Sequence, residues 1–127
     1  MMIIPVNHHK ASSIRPNCLS SCRYYGFYSD VSKEGELVGI VGIHFRAWYC
    51  SEICHLFVKD SYRCKGVGTE LVAHALMKVK TPLAVATVRE NNLYSKKIFM
   101  KLGFKEATTF INPNTGNVVK LLFKEIK

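Results

Sequence analysis

Apolar and polar positions divide the chain into short strand-like runs separated by turn residues, with two stretches that switch to helical spacing. Residues 2–6 are apolar and contain Pro5, which fits an edge strand. From Asn7 to Ser21 the chain is polar, with Pro16 and several serines, and predicts a loop with at most one short helix, around Lys10–Ile14 or Cys18–Cys22. Arg23–Tyr28 is rich in strand formers, Ser29–Gly35 reads as a turn, and Glu36–Phe45 completes an antiparallel hairpin. Gly39 and Gly42 interrupt that second strand, as a bulge or a close backbone approach would. A third strand follows within Arg46–Val58.

The first helical stretch covers roughly Gly66–Lys80. Val67, Leu71, Ala75 and Val79 recur at four-residue spacing, and Val72 and Leu76 widen the stripe. Thr81-Pro82 stops it, and Leu83–Val88 is a charge-free, buried strand. Strand, glycine-rich turn, helix and strand in that order predict parallel neighbours. Asn91 or Asn92 caps a second helix, Leu93–Leu102, which Gly103 ends in the left-handed conformation. Phe104–Ile111 and Val118–Ile126 form a last pair of strands around the Asn112–Asn117 turn. The reading is one mixed α/β domain (an α+β mixed sheet) with a short N-terminal segment, residues 1–22, and a core over 23–126.

Composition agrees with a single folded core: 127 residues, 48% hydrophobic and 21% charged. No apolar run approaches the ~20 residues that span a bilayer, and Met1–Val6 is too short for a signal-peptide core. No membrane association and a cytoplasmic location are expected. Five cysteines do not close into a disulfide framework. Cys18/Cys22 and Cys50/Cys54 are C-x-x-x-C pairs, with His8 and His9 near the first, but the spacing is looser than a zinc knuckle. Free thiols are the simpler reading, and no metal is expected. The net charge of +9 favours anionic partners. Seven lysines lie from Lys96 onward, but no aromatic-interleaved motif accompanies them, so nucleic acid is a secondary expectation.

Chemistry concentrates at Asp60–Thr69. Arg63-x-x-Gly66-x-Gly68 sits where a strand gives way to a helix, and glycines there let an anion approach unpaired first-turn amides. Arg63 and Lys65 add charge to the same place.

Arg63-Cys-Lys-Gly-Val-Gly68 resembles the R/Q-x-x-G-x-G/A pyrophosphate loop of the GNAT superfamily of acetyl-CoA-dependent N-acyltransferases, with Tyr62 as the common preceding aromatic. Asn92-x-x-Ser95-x-x-x-Phe99-x-x-x-Gly103-Phe104 is similar to that family's second signature, N-x-x-A-x-x-x-Y-x-x-x-G-F. The order of elements matches over about residues 23–126, with a shortened N-terminal helical region.

The resemblance implies acetyl-CoA as co-substrate and a primary amine as acceptor: a protein lysine or N-terminus, a small amine, or an aminoacyl group on RNA. The pyrophosphate would take amides across Lys65, Gly66, Val67, Gly68 and Thr69, beside Arg63 and Cys64, the last standing where glycine is common. Backbone groups of Leu56, Phe57 and Val58 would pair with the pantetheine arm between two splayed strands, and an N–H near Phe57 or Val58 would polarise the thioester carbonyl. Asn92 and Ser95 would contact the arm from the second helix, and Lys96, Lys97 or Lys101 would face the adenosine 3′-phosphate.

Glu52, in E-I-x-x-x-x-V, resembles the catalytic glutamate of the histone-lysine branch; apolar neighbours would raise its pKa and suit it to act as base. Phe99 stands where a tyrosine often protonates the departing thiolate, and phenylalanine has no proton to give. Tyr94 projects from another face of its helix, and Tyr62 or water remains. Among the histidines, His44 has no stronger claim, His74 is mid-helix, and alternation along the strand sets His55 opposite Glu52. The acceptor pocket has a thin N-terminal wall, which suits a peptide amine or a site completed by a second subunit; monomer and homodimer both remain open. Direct attack on the thioester in a ternary complex is the implied reaction. The alternatives are a non-catalytic acyl-CoA-binding module and a basic nucleic-acid-binding protein.

Overall fold

The structure, a computed structural model, describes residues 2–29 and 35–126. Its strands are β1 (Met2–Val6), β2 (Arg23–Tyr28), β3 (Leu37–Ala47), β4 (Cys50–Val58), β5 (Leu83–Arg89), β6 (Lys105–Ile111) and β7 (Val118–Glu125). Its helices are α1 (His8–Ser12), α2 (Val67–Lys78) and α3 (Leu93–Lys101), with a 3-10 turn at Asp60–Tyr62. One seven-stranded sheet runs β1-β2-β3-β4-β5-β7-β6, and β1 is an edge as expected. The mixed α/β fold agrees with the sequence reading. The single short helix of the N-terminal segment begins at His8, two residues before the first expected place, because Asn7 caps it by accepting from Lys10 N–H. The expected turn at Ser29–Gly35 lies largely outside the described residues. No helix among the described residues is long and apolar enough to cross a membrane.

Period-two alternation gives the sheet two buried faces. Tyr25, Phe27, Val38, Val41, Ile43, Ile53, Ala84 and Ala86 pack beneath α2 and α3, against Leu71, Val72, Ala75, Ile98 and Phe99. Leu71 and Val72 are fully buried, and each such side chain contributes ~1.5–3 kcal/mol relative to exposure. The other face carries Tyr24, Leu37 and Ile40 under Ala11, Cys18 and Cys22, so the thin N-terminal segment is its only described cover.

Two features of the sheet position everything else. The parallel pairing of β4 with β5 covers only Cys50↔Leu83, Ser51↔Ala84 and Glu52↔Val85, after which the strands part. The antiparallel pairing of β3 with β4 runs from Gly42↔Cys54 to Ile40↔Phe57, so β4 carries one extra residue there. Gly39 and Gly42 are required by close packing. A Cβ on Gly39 would stand 2.9 Å from Leu71 Cδ1, and one on Gly42 would stand 2.8 Å from Tyr24 Cε1.

His74 lies on α2 with its ring edge-on to Tyr25, centroids 4.9 Å apart. Burial, then the charge of Lys78, lowers its pKa from the ordinary 6.5. A base held neutral in the fold but free to protonate when unfolded contributes stability above the unfolded pKa, lost as pH falls through the lower, folded one. Thermal melts of His74→Gln against the native chain are therefore expected to show a shallower loss of Tm between about pH 7 and pH 5. Parallel curves would remove His74 from the acid response.

Candidate active site

Where β4 and β5 part, a cleft of about 680 Å³ opens between them. Leu56, Phe57 and Val58 line one side, Thr87, Val88 and Arg89 the other, and Asn92, Ser95 and Phe99 come from α3. Leu56–Val58 have no β5 partner, so the β5-facing edge of their backbone, apart from Val58 O, which accepts from Arg63, is open to an extended ligand. The resemblance implied this splay. Asn92 is the helix cap, its Oδ1 accepting from Ser95 N–H at 3.2 Å; Asn91 is not the cap. Phe99 is buried and edge-on to Phe104, at 5.0 Å between centroids.

The mouth of the cleft is the loop before α2. Gly66 takes φ 87° at the N-cap and offers no side chain to cap the helix, which leaves first-turn amides for a ligand. Arg63 Nε donates to Val58 O at 2.9 Å, and its guanidinium lies 5.2 Å from the Tyr94 ring centre. The cation is thus braced at the end of β4. Lys65 lies over the Tyr62 ring at 5.6 Å. Val67 is buried, so only its backbone is available here. Cys64, Gly66, Gly68 and Thr69 join Lys97 and Lys101 in a second hollow of about 360 Å³. Lys96 instead pairs with Glu106 at 2.9 Å, which leaves Lys97 and Lys101 of the three lysines beside the loop.

Tyr94 lies between the cleft and that hollow, and lines both. Its hydroxyl stands beside Gly68, 2.8 Å from where a Cβ would lie, and burial raises its pKa. It packs against the loop and the Arg63 guanidinium. Tyr62 packs against the main core rather than lining the cleft.

Cys64 is exposed with φ 62°, so its side chain points outward as its glycine-like place requires. An L-residue there costs ~1–2 kcal/mol. Cys64→Gly is expected to raise stability by about 1 kcal/mol in denaturant titrations, and β-branched Cys64→Val to lower it. Equal midpoints for all three would contradict a strained loop.

At the inner end of the cleft a third hollow, about 280 Å³, holds Arg15, His44, Arg46, Glu52, Cys54 and His55. Glu52 is the last β4 residue paired to β5, opposite His44 on β3. Arg46 grips its carboxylate through Nε at 2.9 Å and Nη2 at 2.6 Å, and that bond raises the arginine's own pKa. The apolar surroundings expected for Glu52 are therefore replaced by a guanidinium. Sequence reasoning missed Arg46, although a hairpin turn at Trp48-Tyr49 sets it two residues from His44 on the Glu52 face.

The expectation that His55 faces away from Glu52 is corrected. His55 is the extra residue of β4, with φ 56°, and the bulge turns it into the same hollow. Its Nδ1 lies 2.7 Å from the Tyr24 hydroxyl, which also accepts Leu19 N–H at 2.9 Å. Burial first, then the charge of Arg15, lowers the imidazole pKa, and burial raises those of Tyr24 and Cys54. His74 lines none of these hollows.

Comparison with known proteins agrees with this geometry. The family model of the acetyltransferase (GNAT) family matches residues 5–104. No curated protein matches the sequence. Among solved structures, a GNAT family acetyltransferase from Elizabethkingia anophelis with acetyl-CoA bound superposes with a TM-score of 0.80 at 16% identity, covering 98% of this chain and 97% of that one. Arabidopsis thaliana NAA60 in complex with a bisubstrate analogue gives 0.74 at 13% identity and 99% coverage of both. The ribosomal-protein-S18-alanine N-acetyltransferase from Escherichia coli gives 0.73 at 14%, covering 99% and 95%. At these identities the likeness is one of fold, while the family model spans most of the chain. The chain belongs to the GNAT family of acetyltransferases.

Proposed function

We propose that the protein is an N-acetyltransferase that moves the acetyl group of acetyl-CoA directly to a primary amine in a ternary complex. The observation that carries this reading is the cleft at the end of the three-residue β4/β5 pairing, with an uncapped helix N-terminus and Arg63 at its mouth. The cleft suits a thin pantetheine arm and its mouth suits a diphosphate. In this reading the diphosphate takes amides of Lys65–Thr69, Leu56–Val58 pair with the arm, and Lys97 and Lys101 face the 3′-phosphate. A backbone N–H near Phe57 or Val58 polarises the thioester carbonyl.

The acceptor enters through the hollow that holds Glu52, whose only described cover is the short segment from α1 to Cys22. Glu52 accepts the amine proton, with Arg46 fixing the carboxylate, and the thiolate leaves past Phe99 without a tyrosine to protonate it. A second reading gives the proton to His55, because the bulge places that imidazole in the same hollow. Loss of turnover in His55→Gln with turnover kept in Glu52→Gln would select it. One structural relative is named for acetylating the alanine of a ribosomal protein and others for aminoglycosides and nourseothricin, so peptide and small amines both belong in the test.

Thiol release from acetyl-CoA with a panel of peptide N-termini, lysine peptides, polyamines and aminoglycosides tests the proposal. Amine-dependent release is expected from at least one class. Acetyl-CoA that raises Tm yet is never turned over would support a binding module instead. Stabilisation by oligonucleotide alone would support the nucleic-acid alternative.

A further inference from the structure

Cys22 and Cys54 take no part in the acetylation chemistry, yet the fold brings one cysteine from each C-x-x-x-C pair together. Their sulfurs lie 3.9 Å apart. With an imidazole nitrogen of His55, the three donor atoms lie within 4.8 Å of one another, the only such cluster among the described residues. Its cause is local. Tyr24, Gly42 and Cys54 form one row across β2, β3 and β4, and Cys22 lies two residues before Tyr24 on the same face. Gly42 leaves room for the Tyr24 ring to cross β3, and the β4 bulge turns His55 toward it.

We propose that Cys22, Cys54 and His55 form a zinc site whose fourth coordination position opens into the acceptor hollow. With Zn–S bonds of ~2.3 Å, the edge of a tetrahedron is ~3.8 Å, which the two sulfurs already span within a tenth of an ångström or so. Two thiolates and an imidazole suit a borderline-soft ion, and three protein ligands leave a place for water or another donor. The thiols lose two protons as the ion binds, so the Zn(S)2 unit is neutral beside Arg15 and Arg46, the latter held by Glu52. The remaining titratable neighbour in the hollow is His44. Tyr24 holds Nδ1 at 2.7 Å, the outer-sphere arrangement that orients a histidine ligating through its other nitrogen, which in this proposal is Nε2. The Tyr24 oxygen also takes Leu19 N–H at 2.9 Å, and in the proposed site it accepts from Nδ1–H. A bound ion fills the hollow where the amine would enter.

The test uses reduced, chelator-treated full chain without acetyl-CoA, so its outcome is independent of the enzymatic reading. Calorimetry is expected to show one Zn2+ bound with release of two protons. Co2+ is expected to give a thiolate-to-metal charge-transfer band. Cys22→Ser and Cys54→Ser should each weaken binding by more than the ~10–100-fold that loss of an outer-shell partner costs, while Cys50→Ser keeps it. Circular dichroism of each variant reports folding. Wild-type protein that binds Zn2+ no tighter than the Cys22→Ser/Cys54→Ser double variant, or a Co2+ complex without the charge-transfer band, would overturn the site.

Discussion

Gly68→Val is expected to remove acetyl-CoA binding from a chain that still folds. A Cβ on Gly68 would stand 2.6 Å from Ile98 Cδ1 and 2.8 Å from the Tyr94 hydroxyl, both at the ends of movable side chains. Overpacking of this kind costs ~1–3 kcal/mol, which a melt of the free protein reads directly. The effect on the ligand is larger. The added methyls push Tyr94 into the space between the cleft and the neighbouring hollow, and they cover the first-turn amides on which a diphosphate would rest. Loss of two such charge-assisted hydrogen bonds, ~1.5–3 kcal/mol each, weakens binding about a hundredfold or more. The stabilisation by acetyl-CoA seen in the native chain should disappear from thermal melts of the variant. An undiminished shift would place the cofactor elsewhere.

Glu52→Gln is expected to lower kcat by ~10²–10⁴-fold while leaving acetyl-CoA affinity within a few-fold of the native value. The amide keeps an oxygen for Arg46 and preserves the volume of the side chain, so packing of the hollow changes little. What it loses is the ability to take a proton. Glu52 sits at the last β4/β5 pair, beyond the open edge of Leu56–Val58, which separates the proton-accepting function from cofactor binding. Native turnover in this variant would remove Glu52 from the mechanism and leave the proton to His55 or water. A parallel loss of acetyl-CoA affinity would instead make Glu52 part of the cleft's architecture.

The fold was legible where local signals and tertiary packing agree. The strand formers of Arg23–Tyr28, the charge-free run Leu83–Val88, the four-residue stripe on α2 and the Asn92 and Gly103 helix ends all appear in the structure with shifts of a residue or two. The strand–glycine loop–helix–strand order carried the parallel pairing, and the uncapped α2 terminus follows from Gly66 itself. The acceptor hollow was less legible, because its geometry depends on a single extra residue in β4. Strict alternation places Glu52 and His55 on opposite faces, and nothing in Cys54-His55-Leu56 announces the left-handed turn that brings them together. Arg46 was missed for a related reason. Its partner is fixed by the β3/β4 register, and the residues that set that register lie in the hairpin rather than beside Glu52. The Cys22–Cys54 approach is likewise a product of three paired strands, and the spacing within either C-x-x-x-C pair gives no hint of it.

The central claim is that acetyl-CoA lies between β4 and β5 with its diphosphate on the loop before α2. Amide chemical-shift mapping during an acetyl-CoA titration tests it most directly. The largest saturable shifts are expected at Lys65–Thr69 and Leu56–Val58, with smaller ones at Asn92 and Ser95. Saturable binding that leaves those amides unmoved and shifts the lysine-rich β6/β7 surface instead would contradict it.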